Sequence, residues 1–140
     1  MSAEQNKELV RRYREAHTTN NLAALDAIVA SNIVSHAGIP GMPPGLEGGK
    51  MVHGMFLSAF PDGVTTTEDL LAEGEKVVER FTFRGTNNGS FMGMPPTGKK
   101  VVSSGMSIFR IADGKIVEHW GENDALGTFV QLGIVPAPGQ

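Results

Sequence analysis

The spacing of apolar residues divides the chain into a helical first half and a strand-rich second half. Leu9, Val10, Tyr13, Ala16 and His17 recur at helical intervals, while Lys7, Arg11, Arg12, Arg14 and Glu15 fall mostly on other faces. That pattern predicts an amphipathic helix over Glu8 to Thr19. Asn20-Asn21 ends it. Leu22, Leu25, Ile28 and Val29 form the stripe of a second short helix, Leu22 to Ala30, and Ile33 to His36 is short and extended. A Gly/Pro loop, Gly38 to Gly45, leads into a third helix of roughly Leu46 to Phe60. Met51, Met55, Phe56, Ala59 and Phe60 mark its buried side.

From Val64 the period changes to two. Val64 to Glu73 predicts one strand and Glu75 to Thr86 a second, in which Val77, Glu79, Phe81 and Phe83 alternate with Val78, Arg80, Thr82 and Arg84. Asn87 to Gly98 is a Gly/Pro-rich connection, with Asn87-Asn88-Gly89 supplying turn chemistry. Lys99 to Ile111 is a long strand. Asp113-Gly114, a strong hairpin signal, joins it to a partner running from Lys115 to Asn123. Asp124 is placed to N-cap a last helix through Gln131, and a Pro/Gly tail from about residue 135 is expected to fray. Helices followed by an antiparallel meander and a short helix give an α+β fold, with helices packed on one face of a curved sheet.

Composition narrows the possibilities. A chain of 140 residues holds one domain, 1–140. The formal net charge of -3 comes with no run of Lys or Arg, which argues against a nucleic-acid or anionic-membrane surface. The absence of cysteine excludes disulfides, thiolate catalysis and cysteine-ligated metals, and suits a reducing cytoplasm. The N-terminus is polar from the start, so neither a signal peptide nor a membrane span is expected. The four histidines include no His-x-x-x-His or similar pairing, so no metal is expected. Gly45-Leu46-Glu47-Gly48-Gly49-Lys50 lacks the spacing and preceding strand of a phosphate loop.

Candidate chemistry concentrates on the closing strand. His119, Trp120 and the carboxylates Glu118, Glu122 and Asp124 fall within one short span where core residues are expected. His119 alternates with Val117 and Gly121, opposite Glu118 and Trp120. It either lines a pocket or is hydrogen-bonded inside the core. Asp124 is open to a helix-capping role as well as an acid/base one, and the two are compatible. His36, after a short apolar strand, is either a loop cap or a partner for His119. His17 and His53 fit helix surfaces or packing. Arg80, Thr82 and Arg84 share the polar face of a strand, as a solvated or intersubunit sheet face needs, and one arginine could instead bind a substrate carboxylate. Trp120, Met106 and Ile108 fall on the outer face by parity, which suggests a sheet-mediated homodimer.

Several stretches together resemble one family. They are Ala59-Phe60-Pro61-Asp62, Gly85-Thr86 with Phe91 to Lys99, and Asp113 to Trp120 followed by Asp124 and Gln131-Leu132-Gly133. The chain resembles the SnoaL-like polyketide cyclase (ester cyclase) family, of the cone-shaped α+β superfamily that also holds ketosteroid isomerase, scytalone dehydratase and nuclear transport factor 2. The resemblance implies a cone-shaped, curved antiparallel sheet with the N-terminal helices on its concave face. It implies a cofactor-free enzyme that closes a ring by intramolecular aldol condensation, or isomerises, an apolar carbonyl compound. A base then removes a proton α to a carbonyl, donors stabilise the enolate, and an acid protonates the new alkoxide.

The resemblance also places the Val117/His119/Gly121 side toward the cavity and His36 at its mouth. The cyclases carry an acid/base aspartate near the end of the last strand. Counting from the shared Asp-Gly-Lys-Ile turn, that position is Gly121 here. Their polar pocket glutamine and histidine fall on Gly105 and Ser107. Chemistry is therefore expected at His119 and Asp124, with His36, Ser107, Phe56, Phe60 and Phe91 contacting substrate. Two alternatives stand beside it: an epoxide-type or other hydrolase of the same fold, or a non-catalytic, dimeric small-ligand-binding module.

Overall fold

The computed structural model describes residues 1–139, so Gln140 of the expected tail lies outside the described residues. The first helix, α1, runs Ala3–Thr18 and begins before its apolar stripe does. A capping box sets that start: Gln5 N–H donates to Ser2 Oγ at 3.1 Å, and Ser2 N–H donates to Gln5 Oε1 at 2.8 Å. The second expected helix is a short 3-10 turn, Leu22–Ala27. It stops early because Val29 already belongs to strand β1, Val29–Ser35. A parallel neighbour demands that strand, and sheet pairing overrides the helical stripe. Helix α2 spans Gly45–Ala59. Strands β2 (Val64–Glu73), β3 (Lys76–Thr86), β4 (Lys100–Ala112) and β5 (Lys115–Asn123) follow, and α3 (Ala125–Gln131) closes the chain.

The five strands lie in the order β1-β5-β4-β3-β2. β2 to β5 form the expected antiparallel meander, whereas β1 pairs with β5 in parallel. The sheet is therefore mixed at one edge. Asp113 and Gly114 both take positive φ, 52° and 75°, as a two-residue hairpin of matching twist requires. Irregularities between Thr67 and Asp69 and between Arg110 and Ile111 add bend to the sheet.

Two apolar clusters fill the concave side. One joins Leu9, Val10 and Ala16 of α1 to Val77, Phe109, Ile111 and Ile116 of the sheet. The other joins Ala59 and Phe60 to Phe91, Val101 and Leu132, with Phe56, Phe83 and Phe129 against it. Asn87, 1 % exposed, organises the long β3–β4 connection. Its amide N–H groups donate to the carbonyls of Ala59 (3.3 Å) and Gly89 (2.8 Å). Its Oδ1 accepts from Thr97 N–H (2.9 Å) and Thr97 Oγ1 (3.0 Å). At the other end, the amides of Ile134 and Val135 donate to Phe129 O and tie the start of the expected tail to α3.

A candidate active site on the concave face

A buried ion pair stands at the centre of the concave face. Glu79, fully buried, projects inward from β3 between Val77 and Phe81. Arg14 reaches it from α1 with both arms of the guanidinium, Nε to Oε2 at 3.0 Å and Nη2 to Oε1 at 2.6 Å. Thr67 of β2 donates its hydroxyl to Oε2 at 2.6 Å. Burial pushes the Glu79 carboxyl up, but the Arg14 hydrogen bonds and charge, helped by Thr67, outweigh it and hold the group below its ordinary value. The guanidinium also lies over the rings of Tyr13 and Phe81, at 5.5 and 5.3 Å from their centroids.

His119 faces the same interior. Its β-sheet partner is Phe109, and the two rings lie 5.0 Å apart. Its Nε2 is 3.2 Å from Ser107 Oγ and its Nδ1 is 3.3 Å from Ser35 Oγ. β1 is fixed there by His36 N–H donating to His119 O at 2.8 Å. Burial first, and then the positive charge of Arg14, lower the His119 pKa to about 4, while Glu79 opposes the fall. The imidazole is therefore neutral at pH 7.

α1 and α2 bring two further histidines to this region. His17 lies 4.3 Å from the Tyr13 ring and 4.9 Å from that of His53, centroid to centroid. Burial is the main reason that its pKa falls to about 4. His53 is lowered too, by burial and then by Arg14. Burial also raises the Tyr13 phenol, which stays protonated at neutral pH. The Arg14 charge acts on His17, His53 and His119 alike, so the three surround one ion pair.

Only part of this was expected. His119 and Ser107, which the resemblance turns toward the cavity, stand in hydrogen-bond contact. His36 does not join them. It stacks on Trp120, with centroids 5.0 Å apart and planes at 12°, and its Nε2 meets Glu118 Oε2 at 2.7 Å. Glu118 and Trp120 belong to the outer side of β5, so the chain carries His36 across the sheet edge to that side. Asp124 takes the helix-capping role that the sequence left open beside an acid/base one. Its side chain is exposed and accepts from Gly127 N–H at 2.9 Å, the bond of a helix cap.

Phe56, Phe60 and Phe91 form an aromatic cluster with ring centroids 5.5 to 5.6 Å apart along the Phe56–Phe91 and Phe60–Phe91 contacts. Phe60 is core, and Phe91 also borders an open groove of about 550 Å³ beside α2, with Met51, Met55 and Met92. Arg80 turns outward and pairs with Asp69 at 2.7 Å.

The two glycines at expected polar positions are not open space. A Cβ on Gly121 would sit 3.3 Å from each of Ala37 Cβ, His119 Cε1 and Ser107 Oγ. A Cβ on Gly105 would collide with the Phe81 ring. Tyr13, Arg14, His17, His53, Thr67 and Glu79 were not picked out from the sequence as site residues. One signal was available: Glu79 is a carboxylate on the apolar parity of β3, and Arg14 and His17 share the inward side of α1 with Val10. Among the described residues, no three His, Asp or Glu side chains gather as a cation would need.

A curved, unclosed sheet crossed by helices, with polar groups converging on its inner face, defines the cone-shaped α+β class. The chain belongs to the SnoaL-like polyketide cyclase family, whose model matches residues 7–132. It is 38% identical over 60 residues to aklanonic acid methyl ester cyclase DnrD of Streptomyces peucetius, a match covering 43% of this chain and 41% of that protein. The matched stretch thus spans about two fifths of the length of that curated relative. Among solved structures, TsrD from Streptomyces laurentii superimposes with a TM-score of 0.88 at 29% identity, covering 96% of this chain and 99% of that one. IdmH from Streptomyces antibioticus, a candidate polyketide cyclase, gives 0.81 at 33% identity, covering 92% and 99%.

Proposed function

We propose that the protein is a cofactor-independent acid/base enzyme that cyclises an apolar carbonyl compound by intramolecular aldol addition, with His119 moving the proton. The observation that carries this reading is the neutral His119 imidazole, held on the concave face between Ser35 and Ser107 beside the Arg14–Glu79 pair. Cyclase relatives support the reaction class.

In this reading the serine hydroxyl on the unprotonated nitrogen of His119 turns away, and that nitrogen's lone pair takes the proton α to a carbonyl. The negative charge moves onto the enolate oxygen. Arg14 keeps N–H donors beyond the two that bind Glu79, and its charge stabilises that oxygen. The enolate carbon attacks a second carbonyl of the same molecule, forming the ring bond and an alkoxide. The imidazolium returns its proton to the alkoxide, so the enzyme ends unchanged. Glu79 favours the transient imidazolium through its charge. Ser107 and Ser35 hold the ring plane, one at each nitrogen.

The same reading includes a homodimer formed through the outer face of the sheet, and no part for Asp124 or His36 in the chemistry. Aklanonic acid methyl ester, the compound in the curated relatives' names, is the first substrate to try. His119→Ala is expected to lower its rate of ring closure by about 100-fold or more, the usual range for a lost general base. An unchanged rate in His119→Ala, with the fold intact by circular dichroism, would sink the assignment.

A further inference from the structure

His53 has an unmet bond. Its Nε2 is buried and has no hydrogen-bond partner. Buried polar atoms are nearly always paired, so an orphan calls for a reason. α2 carries the ring edge-on against His17, 4.9 Å between centroids. His17 is itself fixed. Its Nδ1 lies 2.8 Å from Tyr13 O, and a carbonyl only accepts, so Nδ1 carries the hydrogen and Nε2 of the neutral ring is bare. His53 thus presents a buried, unpartnered nitrogen beside the neutral His17 ring, on the side of the molecule that holds Arg14.

We propose that His53, backed by His17, is a second substrate-contacting residue of the interior, and that it binds a phenolic or enolic hydroxyl of the substrate. The idea rests on the reading of the concave face as the active site. The chemistry favours a hydroxyl over an acid. A neutral imidazole nitrogen has one donor or one acceptor to offer, and a hydroxyl answers either tautomer. A carboxylate would add a permanent negative charge beside Glu79 with no imidazolium to offset it, unlike the transient enolate. The contact would orient a hydroxylated ring while His119 works on the carbon next to its carbonyl.

The probes are 2-naphthol and 2-methoxynaphthalene, which differ only in the hydroxyl hydrogen and its methyl replacement. Calorimetric titration of the wild-type protein is expected to show a preference for 2-naphthol of about five- to tenfold, the worth of one hydrogen bond. His53→Leu is expected to erase that preference while leaving the thermal midpoint unchanged or higher, because an unpaired buried nitrogen has been removed. His53→Gln, with an amide in its place, is expected to keep part of it. In the wild-type protein, the 15N signal of His53 Nε2 should move with 2-naphthol and not with the methyl ether.

Equal or undetectable binding of both probes by the wild type, a still 15N signal, or a preference that survives His53→Leu would each overturn the proposal. A lower midpoint with the preference intact would make His53 plain packing. Loss of preference in His119→Ala but not in His53→Leu would move the contact to His119 and leave the proposed function standing. Normal ring closure by His119→Ala would remove that function without touching the hydroxyl preference.

Discussion

His119 and His17 are neutral because the fold strips them of water and sets Arg14 beside them. Each has a folded pKa of about 4 against an ordinary value of 6.5. The unfolded chain therefore takes up protons first as pH falls below about 6.5, and stability drops until the folded groups titrate near 4. Each group contributes on the order of 3 kcal/mol that is present above that window and lost across it. Glu79 acts in the same direction at lower pH, since its folded pKa is depressed and its contribution disappears as it protonates. The thermal midpoint is expected to fall steeply from pH 6.5 to 4, and His119→Asn should flatten the slope. A midpoint constant over that range would contradict the neutral assignments. Strand parity grouped His119 with Val117 and Gly121, and the family resemblance turned that side inward and pointed to Ser107. The residue pattern left Arg14 among ordinary surface charges, because an arginine on an amphipathic helix looks solvated until a carboxylate is found facing it.

α3 shows how an element with little stability of its own is held. Seven residues form too short a helix to persist alone in water. Asp124 closes its first turn, and Thr128 Oγ1 donates to Ser103 Oγ at 2.9 Å. Gln131 brackets the backbone of Val102, accepting from its N–H at 2.7 Å and donating to its carbonyl at 2.8 Å. Leu132 then anchors the end of the helix in the second core cluster. Asp124→Ala is expected to cost about 1 kcal/mol of stability, the worth of an N-cap. Ring-closing activity should stay at the wild-type level. Lost activity at unchanged stability in a denaturant titration would restore Asp124 to the chemistry. The strands from Val64 onward were legible because alternation and Asp-Gly are local signals. The identity of β1 was not, because its parallel partner β5 lies far away in the chain and outweighs the local stripe.

At the scale of the whole molecule, the outer face of the sheet carries an apolar row. Register places Leu71 beside Val78, Val78 beside Ile108 and Ile108 beside Trp120. Leu71 is 67 % exposed and the adjacent Met106 54 %, which is much apolar surface for one sheet face to leave to water. Rims of charge flank it, with Arg80 paired to Asp69 on one side and Arg110 to Glu118 on the other. Such a face suits a second copy of the chain. Ile108→Glu is expected to convert a dimer into a monomer in sedimentation velocity, with the far-ultraviolet circular dichroism unchanged. A wild-type protein that sediments as a monomer at micromolar concentration would remove this surface from the account. Among the described residues, no helix is long and apolar enough to cross a membrane.

The sequence by itself determined the family and the α+β class, and the family resemblance set the inward parity of His119. Those depend on residues near one another along the chain: alternation, a hairpin turn and short motifs. Only the tertiary structure decided which polar groups share the interior. It set Arg14 against Glu79, turned His36 onto Trp120, spent Asp124 on a cap and left His53 Nε2 without a partner. Each of those outcomes is a contact, or the lack of one, set by how helices cross a curved sheet. Desolvation and pairing energies at that crossing, rather than residue type, fix the chemistry a side chain can perform.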